Sequence, residues 1–148
     1  MHRPLFLAAA IVAATTACHS SAGPDSPAPG GAVVARVTAP DTLRLHVGTA
    51  GVVDGGALTV EFLKVEGDSR CPSGVTCVWQ GDAAVELRLT SADGRRAGTT
   101  LHTALNVQPK SVEYDGYDVT LADVQPYPKA QAPIEPGAYV AVISVSRR

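Results

Sequence analysis

The chain has 148 residues, with 12 Lys and Arg against 14 Asp and Glu, a net charge of −2. That length suits a single domain. With no block of basic residues and only 5% aromatic residues, nucleic-acid binding is excluded as a leading reading.

The first element in chain order is an address. Met1-His2-Arg3 is a short basic start, and residues 5–14 (LFLAAAIVAA) form an apolar run. Small residues at Thr15-Thr16-Ala17 precede Cys18. This is the layout of a secretory signal peptide, and the run is too short to span a bilayer, which needs roughly 20 apolar residues. With cysteine directly after the small residues it resembles a bacterial lipoprotein signal, although Thr15 stands where that family usually has Leu. The resemblance implies removal of residues 1–17, acylation of Cys18 (palmitate or a similar chain) and attachment to a membrane. Two or more acyl chains anchor a protein stably where one does not. His19-Ser20 follow the cysteine; in such lipoproteins an Asp there favours the inner membrane, so its absence points to the outer membrane, facing the periplasm.

Residues 18–31 hold Cys18 and His19 and then Ser, Pro, Gly and Ala with one Asp. They have no apolar face and read as a flexible tether. Residues 32–148 form the folded domain. Residues 33–38 and 42–47 are β-rich; in the second, Leu43, Leu45 and Val47 alternate with Thr42, Arg44 and His46. Asp54-Gly55-Gly56 signals a turn. Leu58, Val60 and Phe62 alternate with Thr59 and Glu61, and the run continues through Lys64-Val65-Glu66. Residues 83–90 alternate most clearly, and Asp93-Gly94 marks the next turn. Residues 99–103 and 112–114 are short strand candidates expected to pair around that turn or nearby. Asp115-Gly116 leads into the alternating Tyr117, Val119 and Leu121, and residues 139–146 close the chain with an apolar run. Period-two alternation, punctuated by 11 prolines and 14 glycines, predicts an all-β, antiparallel sandwich or barrel-like domain. Its size is that of an immunoglobulin-like sandwich, but its cysteines are too close in sequence to be that fold's inter-sheet pair.

Of the three cysteines, lipidation removes Cys18 and leaves Cys71 and Cys77. In an oxidising compartment these two are expected to form a disulfide. A zinc site typically draws on four ligands with tighter cysteine pairs. The surrounding segment, DSRCPSGVTCVWQG at residues 68–81, resembles a small exported bacterial (lipo)protein family, uncharacterised as to activity, with the motif DSRCP-x4-C-x-W-x-G. Asp68, Ser69, Arg70, Cys71, Pro72, Cys77, Trp79 and Gly81 match it. The later LHT at residues 101–103, YDVTLADVQPYP at 117–128 and the final strand are also similar. The resemblance covers residues 58–145, and it implies export without implying a catalytic role.

Two readings of this segment compete. In one, Arg70 and Trp79 are presented on a rigid binding loop. In the other, which is favoured, the disulfide staples a strand crossover and Trp79 packs on the bridge, while Arg70 can pair with Asp68, Asp82 or a nearby carbonyl. In that case Trp79→Ala is expected to cost far more stability than Arg70→Ala. Elsewhere the signals for chemistry are weak. His46 and His102 lack the sequence pattern of a metal site, and HExxH, GxSxG, the P-loop and GxGxxG are absent. The Tyr114-Asp115-Gly116-Tyr117-Asp118 stretch reads as a hairpin and offers too few oxygens for calcium. Gln125-Pro126-Tyr127-Pro128 reads as an ordered, extended connection over the sheet. Neither metal nor cofactor is expected. The sequence therefore predicts a lipid-anchored envelope protein with a non-catalytic binding or structural β domain, with the membrane and an envelope protein as its candidate partners. One alternative is a protease inhibitor or protein-binding module presenting the Cys71–Cys77 loop. Another is a glycan-acting enzyme with a carboxylate pair.

Overall fold

The computed structural model describes residues 31–148. The signal peptide, the lipidation of Cys18 and nearly all of the tether lie outside the described residues. The described chain forms nine strands: β1 Ala32–Val37, β2 Asp41–His46, β3 Thr49–Val53, β4 Leu58–Asp68, β5 Ala83–Ser91, β6 Arg96–His102, β7 Ser111–Tyr114, β8 Tyr117–Gln125 and β9 Val140–Arg147. Its helical content is two 3-10 turns, Asp54–Gly56 and Pro136–Ala138.

The strands form two packed sheets, ordered β1-β3-β4-β5-β6 and β2-β9-β8-β7. All neighbours are antiparallel except β1 and β3, which run parallel. This is an all-β sandwich rather than a closed barrel. The alternation seen in the sequence is the alternation of burial. Along β5, Ala83, Val85, Leu87 and Leu89 are buried and the residues between them are half-buried. Leu43 and Leu45 of β2, Val119 and Leu121 of β8, and Ile143 and Val145 of β9 meet Val60, Phe62 and β5 across the interior. Fully burying one such side chain contributes about 1.5–3 kcal/mol, so the inward-facing residues supply the cohesion of the fold.

One strand escapes the alternation rule. β3, with sequence TAGVV, is buried at every position after Thr49. Its central Gly51 hides the pattern and has a packing reason. A Cβ placed there would lie 2.6 Å from Leu43 Cδ2. The missing side chain lets Leu43 of the facing sheet settle on the β3 backbone. The short candidates also separate. Residues 96–102 pair with β5 around the Asp93-Gly94 turn, whereas residues 111–114 pair with β8 around Asp115-Gly116. The latter turn places both Asp115 (φ 50) and Gly116 (φ 80) in the left-handed region, as a tight hairpin requires.

Strand directions divide the connections between two ends. The β2–β3 turn and the loops 69–82, 103–110 and 126–139 lie at one end, hereafter the loop end. The short β1–β2, β3–β4, β5–β6 and β7–β8 connections lie at the other. Gly51→Ala should overpack the core and cost about 1–3 kcal/mol in urea denaturation. Gly98→Ala on β6, where a Cβ meets nothing within 4 Å, should be neutral or mildly stabilising, by at most about 1 kcal/mol.

Candidate functional site

β4 ends at Asp68, and the loop beyond it folds back on itself. The Ser69 N–H donates to Asp82 O at 2.7 Å, and the Cys71 N–H donates to Gln80 O at 2.9 Å. These bonds close the base of the loop. Gly81 permits the closure: it has φ +73, and a Cβ there would lie 1.9 Å from the Ser69 carbonyl oxygen. Above the base, Cys71 and Cys77 form the expected disulfide, with Cα atoms 5.9 Å apart, inside the normal range. The Ser73 N–H donates to Pro128 O at 2.9 Å, joining this loop to loop 126–139.

Arg70 pairs with Asp68 as expected, but the structure reverses the expected stability ranking of Arg70 and Trp79. Arg70 is 6% exposed. Its guanidinium holds Asp68 through two bonds, Nε to Oδ1 at 2.9 Å and a terminal nitrogen to Oδ2 at 2.6 Å. It also donates to the carbonyl of Val124 and, at 3.0 Å, to that of Pro126. Its plane lies 5.1 Å from the Tyr127 ring centroid, within cation–π range. Asp68 further accepts the Arg70 backbone N–H at 3.1 Å and the Tyr139 hydroxyl at 3.2 Å. Burial pushes the Asp68 carboxyl toward protonation, but the Arg70 bonds and charge outweigh it and hold the pKa below the ordinary carboxylate value. Arg70 is therefore the internal clamp of the loop end and is withdrawn from any binding face. Gln125-Pro126-Tyr127-Pro128 is the ordered connection expected, and its carbonyls are what the clamp and Ser73 grip.

Trp79, by contrast, is 50% exposed, and the expectation that it packs into the fold fails. With the base of the loop closed by backbone bonds and Arg70 filling the interior, the indole remains on the outside. Val78 beside it is wholly exposed, and Val75, Leu105 and Tyr127 are also largely exposed. Among the described residues, five of the seven exposed large hydrophobic side chains belong to loops 69–82, 103–110 and 126–139. Leu105 had no signal in the sequence and Tyr127 was read only as part of an extended connection, because the exposure of both depends on loop placement.

Asp82 anchors the middle loop. Its Oδ1 accepts the N–H groups of Thr103 and Ala104, both at 2.9 Å, and Oδ2 lies 2.6 Å from His102 Nδ1. Burial again works against ionisation, and the bonds from His102 and the Ala104 N–H overcome it, so the Asp82 pKa is lowered. His46 lies exposed on β2, in the opposite sheet from His102, so the two histidines do not converge on one site. The Tyr114–Tyr117 hairpin uses its phenols internally: Tyr114 donates to Arg95 O at 2.8 Å and Tyr117 to Asp54 Oδ2 at 2.7 Å.

Three shallow concavities of about 350–450 Å³ open between the loops. One is apolar, lined by Tyr127, Ile134 and Pro133; the other two reach Arg70. This arrangement can present apolar side chains on a fixed frame. It offers no group of three or more His, Cys, Asp or Glu side chains able to hold a metal ion among the described residues. No protein family, curated protein or solved structure matches the chain.

Arg70→Ala should cost about 3–5 kcal/mol, because it leaves Asp68 as a buried, uncompensated charge. Trp79→Ala should stay within about 0.5 kcal/mol of the parent, as expected of an exposed side chain. Urea denaturation of the two variants distinguishes them directly. The pH dependence has a definite sign. Asp68 titrates lower folded than unfolded, so its contribution is complete above the ordinary carboxylate pKa of about 3.9. It is lost as pH falls through the folded value. Stability curves taken down to pH about 2 should therefore be less steep for Asp68→Asn than for the parent.

Proposed function

We propose that this chain is a lipid-anchored bacterial envelope protein whose sandwich is a non-catalytic binding domain, docking through its loop end. One observation carries the reading. Five of the seven exposed large apolar side chains among the described residues gather on three loops that the Cys71–Cys77 disulfide, the Asp68–Arg70 pair and Asp82 hold in place. A docking surface fixed in advance loses less conformational entropy on association. Clustered apolar exposure is the usual mark of an interaction site. Anchoring rests on the basic start, the apolar run and the small residues before Cys18.

The non-catalytic part of the proposal is supported by how the buried carboxylates are used. Asp68 is taken by Arg70, Glu61 by Arg88, Asp82 by His102 and backbone N–H groups, and Asp54 by Tyr117 and Arg147. A glycan-cleaving pair would need two carboxylates facing a shared cleft. A second reading, a protease inhibitor or protein-binding module presenting the Cys71–Cys77 loop, is favoured by the exposure of Val75 and Val78 on and beside the stapled turn.

Two measurements test the proposal. The intact mass of protein isolated from cells should begin at Cys18 and carry acyl chains; a retained residue 1–17 segment or an unmodified Cys18 would refute the anchor. A photo-crosslinking residue at Val78 or Leu105 should give adducts in intact envelopes, whereas one at Glu113, at the opposite end, should not. Equal or absent labelling at the two ends would refute docking through the loops.

A further inference from the structure

The two ends of the sandwich differ in chemistry as well as in loop length. At the short-connection end, charges crowd together. Arg147 pairs with Asp54, Arg95 with Asp93 and Asp115, and Arg148 with Glu113 and Asp118. At the loop end the tips of the loops carry fewer. Residues 71–81 and 103–109 contain no Asp, Glu, Lys, Arg or His. Loop 126–139 carries Lys129 and the exposed Glu135, and Asp82 and Lys110 stand at the far ends of the other two loops. Arg70, the charge nearest the tip of the first loop, is buried and neutralised by Asp68.

The chain also comes in at this end. Gly31 lies against the Gly48 carbonyl of the β2–β3 turn, so close that a Cβ on it would stand 2.8 Å from that oxygen. β1 then runs parallel to β3, away from the loops. Val33 and Val34, at the start of β1, are the remaining two exposed large hydrophobics among the described residues. Cys18 stands thirteen residues before Gly31, which limits the separation of the two to about 45 Å even in a fully extended chain.

We propose that the loop end docks onto the lipid bilayer, seating Val78, Trp79, Leu105 and Tyr127 at the boundary between headgroups and acyl chains. This deepens the docking reading above and rests on it. The choice of a bilayer follows from the chemistry. Tryptophan and tyrosine, each apolar with one polar group, are the side chains that settle at membrane interfaces. A bilayer demands no complementary shape, only that several loop tips at one end be apolar and free of charge. Lys110 and Lys129, which make no ion pair among the described residues, stand where their long side chains can reach lipid phosphates while their stems stay in apolar surroundings. An attachment at Cys18 would bring the membrane to the same end of the domain that is chemically suited to meet it. The opposite end, with its paired charges, would face water.

Trp79 is the only tryptophan, so its fluorescence reports on the loop end alone. Protein purified from envelopes is reconstituted with phosphatidylcholine vesicles, with and without brominated acyl chains. The proposal requires Trp79 emission to move to shorter wavelength, to be quenched by the brominated lipid and to lose access to iodide. Val78→Asp combined with Leu105→Asp should restore iodide access and reverse the shift. Both side chains are exposed, and an unchanged melting temperature would confirm that the fold is intact. Vesicle-bound protein whose Trp79 remains open to iodide and untouched by brominated lipid overturns the proposal, as does protein that fails to bind vesicles. If that happens while envelope crosslinks at Val78 lead to a protein, docking through the loop end survives and only its bilayer partner is lost. If Trp79 is quenched in protein whose mass shows no acyl chain, the lipid anchor falls and bilayer docking stands.

Discussion

Bringing a guanidinium and a carboxylate out of water is expensive, and the loop end is organised around the one place among the described residues where both members of such a pair are buried. The pair formed by Asp68 and Arg70 is both inside and fully engaged: the carboxylate also receives Tyr139 and a backbone N–H, and the guanidinium also reaches the carbonyls of Val124 and Pro126. A buried ion pair contributes little net stability compared with apolar residues of the same size, but removing one member is severe. Its value here is geometric. Arg70 comes from the loop after β4, Val124 and Pro126 from the end of β8 and the loop beyond, and Tyr139 from the approach to β9. Each charge must keep its partners, so those segments must keep their relative positions. The disulfide controls the shape of one loop, whereas the ion pair controls how that loop sits on the next.

The division between what is legible in the sequence and what is not follows from the range of the interactions. β5 and β8 were evident because burial on one face of a strand writes a period of two into consecutive residues. β3 was not, since Gly51 removes a side chain where Leu43 needs room, and that requirement comes from another strand. The Cys71–Cys77 bond was legible from a count of three cysteines and a compartment. The pairing of Arg70 with Asp68, two positions away, was also within reach; the burial of Arg70 and the exposure of Trp79 were not, because the carbonyls that complete the capture of Arg70 lie 54 and 56 positions further along the chain. Seen locally, an arginine beside a cysteine looks like a surface charge and a tryptophan like core. Gly81 is an intermediate case. It stands in the motif, but only the crossing of two backbones shows that no other residue fits there.

An apolar tip on a charged body requires rigidity. Val78 and Trp79 would find partial cover against the sheet if the loop could collapse onto it. The base bonds at Ser69 and Cys71, the bridge and the Ser73 contact to Pro128 all oppose such a collapse. Exposure of these residues is therefore a property imposed by the framework beneath them, and it sets this end of the molecule apart from the other, where turns are short and charges are paired.

The parallel pairing of β1 with β3 has a mechanical consequence. Any pull delivered through the chain before Gly31 acts along β1, at the end opposite the chain's last residue, since β9 runs toward the short-connection end. A force between these two points slides β1 along β3 rather than peeling it away. The hydrogen bonds of the pair, from Ala32 beside Thr49 to Val37 beside Val53, then share the load and must give way together. A strand attached in this manner resists tension far better than the same strand unzipped one bond at a time, so the edge strand that looks least secure in the sheet is placed to bear the strain of whatever holds the domain.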